Sequence, residues 1–353
     1  MLKRNHELIV EEIQRVLKEK TKRYAFKKLE RDIIQTGACI ECGSCVAGCP
    51  VDAITGNRIN GTYTPELTGK CTSCGICYAM CPRTHVLDED LIGDVKSAWK
   101  VRSLGEQKGQ NGSAVTALLS YLIRDKIVDA AVVASQTEDE PWLPEARLIT
   151  TIEGIEESSG TIYTHAQVIE KMLEGFSEGL SKLAVVGTPC NIESINRMEK
   201  HPAGLLKLDT DAKVFKISLF CTESYNYEKL KEFLLHDEVK IEDVKKFEIA
   251  SGELTVTLES DEKKWPIAEL DSASATSCSF CQDLTGLGAD ISCGNVGSEN
   301  DWTTVLVRSE EGEKILRGAI KANLVEAMLL EEADLRSVKN SSRFKKSKYY
   351  KLH

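Results

Sequence analysis

The chain has 353 residues, with 45 Lys and Arg against 55 Asp and Glu for a formal charge of −10, and is 42% hydrophobic and 28% charged. That balance belongs to a globular protein of two or three domains and excludes disorder, collagen-like repeats and low-complexity polymers. No uncharged apolar run of about 18 residues is present, as a spanning helix would need, and Glu11 and Glu12 break the stretch a secretory signal would use. The ends carry the positive charge: net +5 over residues 1–31, net +7 over 336–353, and −22 between them. An acidic body with basic ends speaks against a nucleic-acid binder, while the termini suit docking on an acidic partner or an anionic membrane surface. For 336–353 a solvated or disordered end is an equal expectation.

Along the chain, residues 5–34 read as a helix, because Ile9, Ile13, Val16 and Leu17 fall on one stripe between charges. Residues 1–36 are therefore expected to form a helical extension. Residues 37–97 then turn dense in Cys and Gly and repeat with a period of 32 residues, from Cys39 to Cys71. From residue 98 to about 335, helices alternate with β-rich apolar runs. Helices are predicted at AVTALLSYLIRD, AQVIEKMLEGF and YEKLKEFLL, and strands at DAAVVAS, KLAVVG, VFKISLFC, LTVTLES and TTVLVRS. The alternation predicts an α/β fold class, a small ferredoxin-like α+β domain followed by a larger sheet covered by helices.

Eight of the 13 cysteines lie between residues 39 and 81. Cys39-x2-Cys42-x2-Cys45-x3-Cys49-Pro50 and Cys71-x2-Cys74-x2-Cys77-x3-Cys81-Pro82 both match the bacterial two-cluster ferredoxin run, whose fourth cysteine serves the other cluster. One 4Fe–4S cluster is accordingly assigned to Cys39, Cys42, Cys45 and Cys81, the other to Cys71, Cys74, Cys77 and Cys49. Gly43 and Gly75 allow the tight folding that aims amides at sulfur. Two zinc sites of four cysteines each are the rival reading, and two identical runs each ending in Cys-Pro fit them poorly. Two adjacent clusters imply one-electron transfer, and so many free thiols imply a reducing, cytoplasmic compartment.

Outside that segment, Cys190 and Cys221 follow predicted strands, where open α/β sheets place ligands, and Cys278-x2-Cys281 adds a pair. Spacing leaves two readings level: a third cluster on Cys190, Cys221, Cys278 and Cys281, or two inert thiols and an unrelated pair. Cys293 is expected in the core. Gly109, Gly112 and Ser113 precede a helix whose amides suit a phosphate, and further glycine loops stand at 160–163, 187–190 and 294–297. A diphosphate cofactor fits such loops, and a flavin is the usual device for splitting a hydride into single electrons. His165, Lys108, Arg147 and Arg197 are weaker candidates for contacts to a cofactor or an acidic coenzyme.

GQNGSAVTALLSYLIRDKIVDAAVV, VVGTPCNIESINRM, KISLFCTES, SCSFCQDLTGLGADISCGNVG and NDWTTVLVRSEEGEKIL together resemble the family of beta subunits of coenzyme F420 hydrogenases and dehydrogenases, over about residues 98–320. The resemblance implies an FAD domain that exchanges a hydride with coenzyme F420, and it favours the third cluster. It implies FAD contacts from Gly109, Asn111, Gly112, Ser113, Thr116, Thr161, Tyr163, Thr188, Pro189 and Asn295, with no protein group as catalyst because the flavin carries the chemistry. Within the family, the plan looks most like the electron-input subunit of F420H2 dehydrogenases. Its implied partner is a one-electron redox protein or an enzyme complex, soluble or with the chain peripheral on a membrane. A ferredoxin-dependent reductase of another substrate, such as a chlorophyll-pathway tetrapyrrole, and a formate dehydrogenase beta subunit are the alternatives, with a flavin-free electron-transfer module behind them.

Overall fold

The computed structural model describes residues 25–59, 61–84, 91–105, 111–200, 212–250 and 252–351. They fall into two compact units: the described residues up to Leu91 together with those from Lys346 onward, and Ile92–Lys345.

In the first unit, α1 (Phe26–Leu29) runs into a π-helical turn, Glu30–Ile34. This is the described end of the helix expected over 5–34; Ile9, Ile13, Val16 and Leu17 lie outside the described residues. Phe26, Leu29 and Ile33 share one face by helical spacing and are buried with Ile54, Cys77 and Tyr78. The 32-residue repeat produces two matching turns, α2 (Ser44–Ala47) and α3 (Ile76–Ala79). Between them lies a hairpin of β1 (Ile54–Ile59) and β2 (Thr62–Leu67), antiparallel from Ile54↔Leu67 to Ile59↔Thr62.

The second unit is built on a mixed sheet of eight strands. In chain order these are β3 (Ser97–Ser103), β4 (Ala130–Gln136), β5 (Pro144–Ile149), β6 (Lys182–Gly187), β7 (Lys213–Leu219), β11 (Ile291–Gly294), β12 (Thr303–Val307) and β13 (Val325–Leu329). The spatial order is β13-β3-β12-β11-β7-β6-β4-β5. β11, β7, β6 and β4 run parallel, and β5, β12 and β13 run against them. Of the parallel strands, β4, β6 and β7 are read from apolar runs, as expected for strands covered on both faces, whereas the short β11 lies outside the predicted strands. On one face Ala131, Val133, Ala184, Ile217 and Ile291 pack with α4 (Ala114–Arg124) and α9 (Glu310–Lys321). On the other, Ala130, Val132, Leu183 and Val185 pack with α6 (Val168–Ser177) and α7 (Pro189–Lys200). The result is three layers, helix on sheet on helix, with α5 (Ile152–Glu157) joining the first helical face through Ile155.

Between β7 and β11 the chain forms a separate small core. Helix α8 (Tyr227–His236) and the meander of β8 (Lys246–Ala250), β9 (Glu253–Thr257) and β10 (Glu262–Pro266) bury Leu230, Leu234, Phe247, Val256 and Trp265 together. The run VFKISLFC leaves the strand at Leu219, so Phe220 and Cys221 belong to the following loop. The basic end is not a solvated tail. It is helix α10 (Glu332–Lys351), in which Val338, Ser342 and Lys345 are buried. Among the described residues, no helix is long and apolar enough to cross a membrane.

Candidate metal and cofactor centres

The two cysteine runs fold as near copies. Glu41 and Ser73 adopt φ of 59° and 55°, and Gly43 and Gly75, at 73° and 83°, start the short helices. A left-handed residue at these starts turns the chain back on itself, which glycine does without steric cost. The Glu41 N–H donates to Cys39 Sγ at 3.4 Å and the Ser73 N–H to Cys71 Sγ at 3.3 Å. Amides directed at sulfur are what a thiolate cluster uses to spread its charge.

Each set of four predicted from the crossed ferredoxin pattern is brought together. Burial pushes the Cys45 thiol up to about 11, and its neighbours Cys39, Cys42 and Cys81 add to the push. Cys49, Cys71, Cys74 and Cys77 line one small cavity, closed by Phe26, Pro50 and Ile54. Burial pushes Cys77 up to about 12. Thiols raised in this way stay protonated near neutral pH unless a bound cation draws the proton off, whereas the Ser44 hydroxyl holds Cys42 below its ordinary value. Two sets of four thiols fit two four-iron cubanes.

A second thiol group forms at the carboxyl edge of the parallel strands. Cys190 lies in the first turn of α7, just after β6, and Thr188 Oγ1 lies 3.0 Å from its sulfur. Cys221 follows β7, with its N–H on Leu284 O. The Ser224 N–H donates to Cys278 Sγ at 3.2 Å, and the Ala275 N–H bonds Ser224 O, so segments 220–225 and 273–284 are stitched together. Burial pushes Cys221 up to about 12; the Lys345 ammonium opposes this, and Cys278, Cys190 and Cys281 add to it. These four thiols therefore lie close enough to feel one another's charge. Cys293 is also pushed up to about 12, by burial alone. It is 1% exposed among Val305, Ile291 and Ile217, the isolated core thiol its sequence predicts.

The remaining candidate residues gather at the same edge, because β3, β4, β6, β7 and β11 all end there and β12 begins there. Tyr163 accepts a hydrogen bond from the Ile249 N–H at 3.0 Å and is bonded by the Thr161 side chain. Asn295 Nδ2 donates to Ile249 O at 3.0 Å. Thr161, Tyr163 and Asn295 thus converge on one backbone unit of β8. The Tyr225 N–H bonds Tyr163 O. The buried hydroxyl of Thr164 has no hydrogen-bond partner, and that of Tyr225 has none of good geometry, although the Glu223 carboxylate lies beside it. The buried, unpartnered Thr164 hydroxyl suits a polar ring system, so the residues at this edge fit a flavin. Tyr225 and Thr164 carried no motif in the sequence and emerge only from the fold.

Thr188 is fixed by Asn191, whose Oδ1 accepts from both its N–H and its hydroxyl, and Pro189 is buried at the start of α7. Ser113, at φ 52°, precedes α4, and Ser113 and Thr116 are both largely buried. Gly112 has φ 84°, and a Cβ there would lie 2.7 Å from Asp301 O and 3.1 Å from Val101 O. Close approach of backbone to backbone explains this glycine without a ligand. Asn111 opens the turn Asn111–Ser113, while Gly109 and Lys108 lie outside the described residues.

The other charged candidates are placed elsewhere. Arg147 pairs with Glu145, and Arg197 with Glu193 at 2.7 Å. His165 is exposed, and partial burial of its ring lowers its pKa, which keeps the imidazole neutral near pH 7. A cavity of about 760 Å³ is an open groove along β5 and α6 lined by Glu138, Asp139, Glu145, Arg147, Glu174 and Glu178. It contains none of the thiols and, of the cofactor candidates, only Arg147, and its acidity would repel an acidic coenzyme.

Two ferredoxin-like thiol sets and an α/β domain with thiols and buried hydroxyls at one sheet edge define an iron–sulfur redox protein. A family model for the 4Fe–4S dicluster domain matches residues 38–87. Models for the coenzyme F420 hydrogenase/dehydrogenase beta subunit match residues 96–173 with its N-terminal part and 180–333 with its C terminus. The chain is 30% identical to a subunit of the F420H2 dehydrogenase of Methanosarcina mazei, over 80% of this chain and 82% of that one. It is 31% identical to the coenzyme F420-dependent sulfite reductase of Methanocaldococcus jannaschii over 89% of its own length, spanning 51% of that relative. A chain from a solved structure of the F420-reducing NiFe hydrogenase complex of Methanosarcina barkeri superposes with a TM-score of 0.71 at 28% identity, covering 75% of this chain and 93% of that one. The chain belongs to the family of coenzyme F420 hydrogenase/dehydrogenase beta subunits, which are F420-related iron–sulfur oxidoreductases, and carries a 4Fe–4S dicluster domain ahead of the family domain.

Proposed function

We propose that this chain is the electron-transferring subunit of an F420-dependent oxidoreductase of the F420H2 dehydrogenase type. In this reading the larger unit holds FAD and exchanges a hydride with coenzyme F420, and single electrons pass by three 4Fe–4S clusters to a one-electron redox partner or enzyme complex. When bound, FAD would supply the conversion between two-electron and one-electron chemistry, and the clusters the one-electron relay. The observation that carries the reading is the gathering of Cys190, Cys221, Cys278 and Cys281 beside Thr164, Tyr163 and Tyr225 at one sheet edge.

The chain's own residues have the task of holding and shielding. Cys39, Cys42, Cys45 and Cys81 would ligate one cluster of the dicluster segment, Cys71, Cys74, Cys77 and Cys49 the other, and Cys190, Cys221, Cys278 and Cys281 the third. Tyr163 and Asn295 are locked to Ile249, and Thr188 to Asn191, so their positions are set before any ligand arrives. Burial pushes Tyr163 up to about 12 and raises Tyr225 further, so both stay neutral hydroxyls. Direct hydride delivery needs orientation and exclusion of water more than a titrating side chain, which matches a site with neutral Tyr, Thr and Asn side chains.

The test is anaerobic mixing with F420H2, NADH or NADPH. The protein should release FAD on denaturation, and F420H2 alone should bleach that flavin. Absence of flavin would leave an electron-transfer module. Bleaching by reduced ferredoxin and not by F420H2 would favour a reductase of another substrate, and equal bleaching by NADPH would replace the coenzyme.

A further inference from the structure

The C-terminal helix α10 sends one cation into the interior. Lys345 is 5% exposed, and its ammonium donates to Cys221 O at 2.6 Å and Asp283 O at 2.7 Å. Those carbonyls belong to the two loops that carry Cys221 and the Cys278–Cys281 pair. The carboxylate of Asp283 is otherwise engaged, accepting from the N–H groups of Thr285, Gly286 and Leu287 at 2.8–2.9 Å. Among the described residues, no carboxylate forms an ion pair with Lys345.

A buried ammonium satisfied only by carbonyl oxygens is costly, because removing a charge from water demands a counter-charge. The groups beside it that can supply one are the four thiols. As thiols they are neutral; as ligands of a four-iron cubane they belong to an anionic body that gains one more negative charge on reduction. Net charge and the surrounding field are among the levers that set such a cluster's potential.

We infer that Lys345 is the built-in counter-charge of the third cluster, clamping its two ligand loops and favouring its reduced state. The inference rests on the third-cluster reading above. The step is a one-electron uptake in which no bond breaks and no proton moves; in the test the electron comes from dithionite through mediator dyes. Without the ammonium the added negative charge is less stabilised, so the potential falls.

The experiment is a potentiometric titration of the full-length protein, monitored by EPR, for the parent and for Lys345→Gln, Lys345→Met and Lys345→Arg. Gln keeps an amide that can bond the two carbonyls but has no charge, which separates the clamp from the field. The expected result is a third-cluster potential more negative in Lys345→Gln and Lys345→Met, by at least a tenfold change in the reduction equilibrium or about 59 mV for one electron. Lys345→Arg should remain close to the parent, with the two dicluster potentials unchanged throughout. Loss of the third cluster's iron from both uncharged variants, with retention in Lys345→Arg, supports the same charge requirement. An unshifted potential in a fully loaded Lys345→Gln overturns the inference and leaves the third cluster standing. A parent protein with only two clusters overturns both.

Discussion

Cys278→Ala is expected to lower the iron content of anaerobically prepared protein from about 12 to about 8 atoms per chain, leaving both clusters of the dicluster segment in place. The argument is positional. Cys278 accepts from the Ser224 N–H and shares its surroundings with Cys190, Cys221 and Cys281, whereas the eight thiols between Cys39 and Cys81 form their own two sets in the other compact unit. Removing one of four ligands opens a cubane, and nothing in that loss touches the other sets. Flavin bleaching by F420H2 should persist while electron delivery to an added one-electron acceptor collapses. Iron analysis, EPR and acceptor reduction check this together. Retention of about 12 iron atoms would remove Cys278 from the ligands, and loss of all iron would show that the sets are not independent.

Arg308→Met is expected to be the most damaging single change to the fold of the larger unit. Arg308 follows β12 and is 9% exposed. Its guanidinium donates to Ser292 Oγ at 2.7 Å, Thr285 Oγ1 at 2.8 Å and Asp94 O at 3.1 Å, and also to Ile92 O. It thereby ties the start of the unit to the loop after Asp283 and to β11. Burial lowers its pKa to about 10, opposed by the Asp283 and Asp94 charges, so it remains protonated at neutral pH. Met matches the length and abandons four acceptors, and at roughly 1–3 kcal/mol for each buried group left unsatisfied the loss should reach about 3 kcal/mol or more. For a unit of this size that is a fall in Tm of roughly 6–12 °C, measured on the cofactor-loaded protein. Arg308→Lys keeps the charge without the planar fork and should fall between the two. A Tm for Arg308→Met within about 2 °C of the parent would contradict this role.

The sequence was most informative where the determinants are local. KLAVVG and DAAVVAS are continuous apolar runs because β6 and β4 are covered on both faces, and the cysteine spacings carry their own geometry. Edge and polar elements escaped. β5 reads PEARLI and β10 reads EKKWP, strands whose charges leave no clear alternation. Helix α10 was hidden for a related reason: Val338, Ser342 and Lys345 form a buried helical stripe, yet two of the three are polar, so hydropathy sees only a basic end. Lys345 and Arg308 acquire meaning from partners far away in the chain, Cys221 for the one and Ile92 for the other. The orphaned hydroxyl of Thr164 and the buried one of Tyr225 are likewise products of tertiary packing, and no motif announced them.

The most direct test of a hydride entering and single electrons leaving is an electron count. In an anaerobic titration of the full-length protein with F420H2, FAD accepts two electrons and three clusters accept one each, so oxidation of the deazaflavin should continue to about 2.5 equivalents per chain, with reduced-cluster EPR signals growing as the flavin bleaches. Uptake that stops at about one equivalent with every cluster still oxidised, or no oxidation of F420H2 by protein that retains its FAD and iron, would contradict the account.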